Sequence, residues 1–194
     1  MLLTHNLPLD DDGNRTICHA CSNFVDAYFF RKEKLGWRLA ERQDSAVTVG
    51  LEGYLGETRI IRLGTAYALA VEWGNCWQGA CGSWLTLLGL GPNTSSVLAQ
   101  DIPISADNLG AYLECAEEER PHASDNMEDR RSQTCFSVEG HWKVNSKQLM
   151  IDFKGLIWET PDKDKDTVIS GTAVYRLSNG KFVLESGKNL VLKL

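Results

Sequence analysis

Residues Tyr67–Leu90 have the sequence YALAVEWGNCWQGACGSWLTLLGL and carry the clearest strand–turn–strand pattern in the chain. Every second residue from Tyr67 to Trp73 is large and apolar, and the residues between them are small or polar, which is typical of a half-buried β-strand. Ser83–Leu90 is a second run of strand-forming residues. The stretch therefore predicts a β-hairpin with Cys76–Cys81 (CWQGAC) at its tip and Trp77 displayed outward.

The same pattern occurs three more times, which sets the predicted fold class. Asn179-Gly180 is the best turn sequence of the chain, because Asn and Gly tolerate the positive φ of tight hairpin turns. We predict a mainly β protein of about eight to twelve antiparallel strands, arranged in hairpins or meanders as a sandwich or open barrel, with at most one short helix. The three further hairpins are Ala27–Glu33 with Trp37–Glu41, Phe136–Val144 with Gln148–Phe153, and Ile169–Leu177 with Lys181–Glu185.

Residues 105–116 fit either a helix or a turn. Ser105 is a suitable N-cap, and the apolar residues from Leu109 to Ala116 are spaced as on one helix face, but Asp107-Asn108-Leu109-Gly110 is also a turn sequence. Residues 117–134 are charged and poor in apolar side chains, so we predict a solvated loop.

The domain organisation follows from these segments. Residues 1–15 are predicted to be a polar, turn-rich N-terminal arm. Residues 16–194 are predicted to form a single β-rich domain, or two packed β halves, 16–113 and 135–194, that the charged loop joins.

The six cysteines form local pairs in the sequence: Cys18 with Cys21, Cys76 with Cys81, and Cys115 with Cys135. If all three pairs are disulfides, the compartment is periplasmic or otherwise extracytoplasmic, whereas reduced cysteines would indicate the cytoplasm. Cys18-His19-Ala20-Cys21 also fits a redox couple or half of a zinc site.

Charge and composition exclude several partners. The chain has a net charge of −6, and its acidic and basic residues are interspersed, so we predict no nucleic-acid partner. No apolar run is long enough to span a bilayer, so we predict no membrane insertion. The acidic clusters 10–14 and 162–166 lack the Gly and Glu positions of a calcium loop, and we predict no metal or cofactor.

Gln78–Ser83 (QGACGS) resembles the segment that precedes the nucleophile of papain-type cysteine proteases. That resemblance implies an oxyanion-hole role for Gln78, but the nucleophilic cysteine should follow Gly82-Ser83, where this chain has Trp84. A helix should also follow to lower the thiol pKa, and the residues after Trp84 predict a strand. We therefore predict no papain-like active site.

Tyr175–Lys188 (YRLSNGKFVLESGK) and the meander before it resemble small β-rich envelope proteins of Gram-negative bacteria, including immunity and inhibitor proteins. That resemblance implies an extracytoplasmic protein. We expect a non-enzymatic protein-binding domain, most concretely an immunity or inhibitor protein that neutralises a bacterial effector or hydrolase. A basic partner fits the acidic charge of the chain. The alternatives are an enzyme that uses Cys81, Cys18 or a histidine, and a structural component of an envelope complex. The candidate binding residues are Trp77, Gln78, Trp84, Glu117, Glu118 and Glu119.

Overall fold

The computed structural model describes residues 1–7, 9–16, 21–112, 115, 133–160 and 166–193. Within these residues the chain forms eleven strands and no helix. A small sheet has the strand order β1-β2-β3, and a large sheet has the order β11-β10-β9-β8-β7-β6-β5-β4. All neighbouring strands are antiparallel, and the large sheet is not closed into a barrel. The predicted mainly β, antiparallel class is confirmed, and the arrangement is consistent with a β sandwich.

The strands follow one another as hairpins, so sequence neighbours are also sheet neighbours within each sheet. All four hairpins predicted from the sequence form, as β2–β3, β5–β6, β8–β9 and β10–β11. In chain order the strands are β1 (Leu2–Asn6), β2 (Asn23–Glu33), β3 (Gly36–Val49), β4 (Glu57–Leu63), β5 (Ala66–Trp77), β6 (Ala80–Leu90), β7 (Ser95–Asp107), β8 (Gln133–Val144), β9 (Gln148–Thr160), β10 (Thr167–Ser178) and β11 (Lys181–Gly187).

The N-terminal segment contains a strand that the predicted polar arm did not include. Residues 2–6 form β1, which pairs along β2 from Leu2 opposite Tyr28 to Asn6 opposite Phe24. Leu3 packs against a buried cluster, so apolar burial holds this strand on the sheet. The rest of the predicted arm includes a turn at 10–14.

In the described part of residues 105–116, the end of a strand and a turn stand in place of the candidate helix. Asp107 is the last residue of β7, and the Ala111 N–H donates to the Asn108 carbonyl oxygen at 3.1 Å. The Asp107 carboxylate accepts the Leu109 N–H at 3.2 Å, which is how Asp stabilises a turn in competition with a helix. The turn alternative is therefore correct.

The concave face of the large sheet holds the first core. Its buried residues come from both halves of the chain: Leu85 and Ile104 on one side, and Val138, Ile151 and Phe153 on the other. The sheet curls enough that β4 faces β8, since the Arg59 guanidinium lies 4.3 Å from the centre of the Trp142 ring.

The second core lies between the small sheet and the other face of the large sheet. Val25, Phe29 and Val47 of the small sheet are at most 2% exposed and pack against Val71 and Leu88. The strands β5 and β6 therefore have apolar side chains buried on both faces. Ala70 of β5 points into the first core and Val71 into the second, so the two strands form a central layer shared by both cores.

Candidate functional site

The tip of the β5–β6 hairpin is a two-residue turn at Gln78-Gly79. Trp77 pairs with Ala80 across the turn, and the φ angles of Gln78 and Gly79 are 50° and 82°. Positive φ at both central residues is the geometry of a type I′ turn, whose twist matches that of the flanking strands. The predicted tip is therefore a tight turn, which we call the Trp77 tip (Cys76–Cys81).

A disulfide joins the two strands directly behind this turn. Cys76 and Cys81 are opposite one another in the β5–β6 ladder, with their Cα atoms 4.0 Å apart. The predicted pair Cys115 and Cys135 is also a disulfide. Cys21 is disulfide-bonded as well, but the predicted partner Cys18 and His19 lie outside the described residues. The disulfide framework is compatible with an extracytoplasmic protein.

The Trp77 tip rests on the loop that follows β7. The Gly110 N–H donates to the Gly79 carbonyl oxygen at 3.0 Å, and a Cβ added to Gly79 would lie 2.1 Å from the Gly110 carbonyl carbon. Only glycine therefore permits this backbone contact. We call residues 108–112 the bracing loop.

Asn108 fixes the bracing loop to the start of β8. Its side-chain amide donates to the Thr134 carbonyl oxygen at 2.9 Å and accepts the Phe136 N–H at 2.8 Å. The residue is only 7% exposed, so both bonds are shielded from water. The Cys115–Cys135 disulfide ties the chain to β8 beyond the loop. The support under the Trp77 tip is thus anchored on two sides.

The Trp77 side chain is 63% exposed on this anchored turn, and Gln78 is exposed beside it. Strand alternation places Trp77 on the same face of the hairpin as Trp73 and Trp84. Those two rings stack with their centres 4.7 Å apart. Trp73 also donates from Nε1 to the Asp101 carboxylate at 3.3 Å.

The structure therefore separates two of the predicted binding residues. Trp84 is half-buried in the stacked pair and stiffens the hairpin, whereas Trp77 presents its surface to solvent. Glu117, Glu118 and Glu119 lie outside the described residues. Tyr112, 41% exposed on the bracing loop, was not among the predicted residues, because its interpretation as part of a helix face hid its exposure.

Cys81 cannot act as a papain-like nucleophile while its disulfide is intact, because the reactive form of cysteine is the free thiolate. Trp84 and the residues after it continue strand β6 to Leu90, where the protease segment would require a helix. The strand that the residues after Trp84 predict is therefore present as part of β6. Among the histidines, His141 is exposed, and its Nε2 lies 4.0 Å from Oε1 of Glu139.

The first acidic cluster, residues 10–14, is a turn, and residues 162–165 of the second cluster lie outside the described residues. The Asp10 carboxylate accepts the N–H groups of Asn14 at 2.8 Å and Asp12 at 3.0 Å. The hydrogen bond from the Asn14 backbone is the main reason that the pKa of Asp10 is lowered. Among the described residues, no group of three or more His, Cys, Asp or Glu side chains is arranged to hold a metal ion.

A polar cleft of about 350 Å³ opens on the concave side of the large sheet, on the face opposite Trp77. Arg59 spans it, with Nη2 2.8 Å from the Glu72 carboxylate and its guanidinium over the Trp142 ring. The Ser83 and Ser105 hydroxyls share a hydrogen bond in its wall. Two pairs of polar side chains therefore bond to each other within this cleft, which gives this part of it the character of a structural network, whereas the buried Nε1 of Trp142 has no hydrogen-bond partner among the described residues.

In comparisons with protein-family models, with curated proteins and with solved structures, the chain has no match. The described residues contain no helix of the length and apolar content needed to cross a membrane.

Proposed function

We propose that this chain is a protein-binding domain that engages its partner through the Trp77 tip. In its most specific form, the proposal is an extracytoplasmic immunity or inhibitor protein that occludes a bacterial effector or hydrolase. The observation that carries it is a 63% exposed tryptophan on a turn closed by a disulfide and braced by a second loop.

Rigidity is what makes the exposed tryptophan useful for recognition. An anchor residue contributes most when it has little conformational freedom to lose on binding, and tryptophan is among the residues enriched at binding hot spots. The hydrogen bond between Gly79 and Gly110 and the Cys76–Cys81 bridge restrict the turn before any partner arrives. The Trp77 tip is thus preorganised.

The overall charge favours a basic partner. The chain carries −6, and opposite charge accelerates the encounter of two proteins. Many effectors and hydrolases that act on nucleic acids or anionic polymers are basic for the same electrostatic reason.

The competing functions have weaker support. Of the candidate nucleophiles, Cys81 is held in a disulfide. An envelope assembly component would need an apolar sheet edge. The edge strand β11 exposes Val183 and Leu184 between two charged residues, and the edge strand β4 carries Glu57, Arg59 and Arg62. Charged side chains on an edge disfavour strand addition.

The proposal is tested by capture of partners from a membrane-free extract of the source cells, with wild-type protein and Trp77→Ala as baits. We expect Trp77→Ala to weaken a specific complex about thirtyfold, the effect of removing a hot-spot residue worth about 2 kcal/mol. Trp37→Ala is the matched control, because Trp37 is 69% exposed on a different hairpin. Equal capture of the same protein by wild type and Trp77→Ala would contradict the proposal.

A further inference from the structure

The distal part of the β2–β3 hairpin projects beyond both cores. All thirteen residues from 30 to 42 are exposed, although they form two paired strands and the turn between them. The projection begins at a β-bulge: Phe29 pairs with Glu41 and Phe30 with Leu39, which leaves Ala40 as the extra residue. Phe29 is the last β2 residue buried in the second core. We call residues 30–42 the hairpin arm.

One face and the end of the hairpin arm are largely apolar. Phe30 pairs with Leu39, and Trp37 pairs with Lys32 on the same face. Leu35 in the turn is fully exposed, and Trp37 is 69% exposed. The opposite face carries the Arg31–Arg38 pair, with Arg38 in a 2.7 Å ion pair with Glu33.

The hairpin arm is basic in an acidic protein. Five of its residues are cationic and two are anionic, so its net charge is +3, and the remaining residues together carry −9. The charged residues are Arg31, Lys32, Lys34, Arg38 and Arg42, against Glu33 and Glu41.

We propose that the hairpin arm binds the surface of an anionic lipid bilayer. Leu35 and Trp37 enter the interfacial region, while the side chains of Lys32 and Lys34 extend to the lipid phosphates. Tryptophan favours this depth because its ring is amphipathic. The hairpin arm and anionic lipid are complementary in charge: the lipid attracts a segment of charge +3, and the acidic body stays in water.

A lipid surface accounts for the hairpin arm better than other polyanions do. The exposed Leu35 and Leu39 have no complementary group on nucleic acid, where aromatic stacking and phosphate contacts provide the binding. A two-stranded ribbon with both faces in water is also only marginally stable by itself. An interface that buries its apolar face stabilises the ribbon.

The contact is peripheral. The ribbon from Phe30 to Leu35 is roughly 20 Å long at the usual rise per residue, shorter than the roughly 30 Å hydrocarbon core of a bilayer. This agrees with the sequence expectation that no segment inserts across a membrane.

The test is sedimentation of the full chain, with its disulfides intact, with vesicles of phosphatidylcholine alone or mixed with phosphatidylglycerol. We expect binding at least about tenfold tighter to the phosphatidylglycerol vesicles. The double variant Lys32→Gln with Lys34→Gln should bind these vesicles about twenty-five-fold more weakly, at about fivefold per cation. The matched control is Lys154→Gln with Lys181→Gln, which removes the same charge from exposed positions elsewhere and should bind like wild type.

Trp37 provides a second readout. Its fluorescence should shift to the blue on phosphatidylglycerol vesicles, and that component should be absent in Trp37→Phe. Equal loss of binding in the control variant, or no preference for phosphatidylglycerol, would overturn the proposal. Binding of a single-stranded oligonucleotide or of polyglutamate in place of vesicles would also overturn it, as would sedimentation showing that the arms of two chains pair.

Discussion

Gly79 and Gly180 occupy the same position in two type I′ turns, but their surroundings differ. Their φ angles are 82° and 76°, and each follows a residue with a φ of 50°. A Cβ on Gly180 would meet nothing within 4 Å, whereas a Cβ on Gly79 would collide with the backbone of Gly110. Alanine variants of the two glycines therefore separate the free-energy cost of the backbone conformation from the cost of disturbing the contact with Gly110.

Gly180→Ala should lower the free energy of unfolding by about 1 kcal/mol, the cost of placing alanine at positive φ. Gly79→Ala should cost an additional 1–3 kcal/mol, roughly that of overpacking, because the bracing loop must move. Urea denaturation of the two variants measures the difference. Equal losses would show that the contact between Gly79 and Gly110 contributes nothing to stability.

The Asp10 turn predicts a local dependence on pH. Because its hydrogen bonds to the Asn14 and Asp12 N–H groups lower the pKa of Asp10 in the folded state, the turn is stabilised above the ordinary aspartate pKa. This contribution is lost as the pH falls through the lowered value. The Asn14 amide shift, followed by NMR, should titrate with a midpoint below that of a free aspartate. A midpoint at or above the ordinary value would contradict the hydrogen-bonding arrangement.

At the scale of elements, the Cys115–Cys135 and Cys76–Cys81 disulfides close loops of different length. Cys115–Cys135 spans 20 residues and Cys76–Cys81 spans 5. Chain entropy then assigns about 3 kcal/mol to the longer bridge and about 2 kcal/mol to the shorter one. The bridge in the Trp77 tip should therefore matter less for global stability than for the rigidity of the turn.

Replacing Cys76 and Cys81 together by serine should lower the free energy of unfolding by at most about 2 kcal/mol. The same double variant should weaken partner binding, because the Trp77 tip loses its preorganisation. Denaturation and binding are measured on the same preparations, with Cys115→Ser/Cys135→Ser for comparison. Unchanged binding after loss of the tip bridge would show that rigidity is irrelevant to recognition.

The sequence predicted the hairpins wherever alternation and turn residues coincide, as in β5–β6 and at Asn179-Gly180. It missed β4, a short edge strand rich in charge that pairs only with its neighbour β5, and it left residues 105–116 open between a helix and a turn. β4 lacks a clear alternation of apolar and polar residues, and residues 105–107 are strand because they pair with both β6 and β8, so local propensity does not decide these segments. The exposure of Trp77 followed from its position in the turn, but the brace from Gly110 is a non-local contact that no local pattern reveals.

At the scale of the molecule, the shared central layer decides how the chain unfolds. The first core combines residues of the two predicted halves, 16–113 and 135–194, and β5 and β6 also carry one side of the second core. Neither core can unfold by itself without exposing the apolar side chains of this shared layer to water, so the two cores unfold together.

We therefore predict one cooperative unfolding transition. Phe153→Ala in the first core and Val71→Ala in the second should each shift that whole transition. Phe153→Ala should lower the free energy of unfolding by about 3–5 kcal/mol, and Val71→Ala by less. Tryptophan fluorescence and far-ultraviolet circular dichroism should report the same midpoint. Two separate transitions, of which each variant moved only one, would show that the halves are independent domains.

Recognition through the Trp77 tip is tested most directly by photocrosslinking at position 77. A benzoylphenylalanine placed at position 77 should form an adduct with one specific polypeptide in the membrane-free extract, and the same group at position 37 should not form that adduct. Adduct formation should also fall when unlabelled wild-type protein is added as a competitor. The account is contradicted if position 77 yields no specific adduct, or if position 37 captures the same polypeptide equally well.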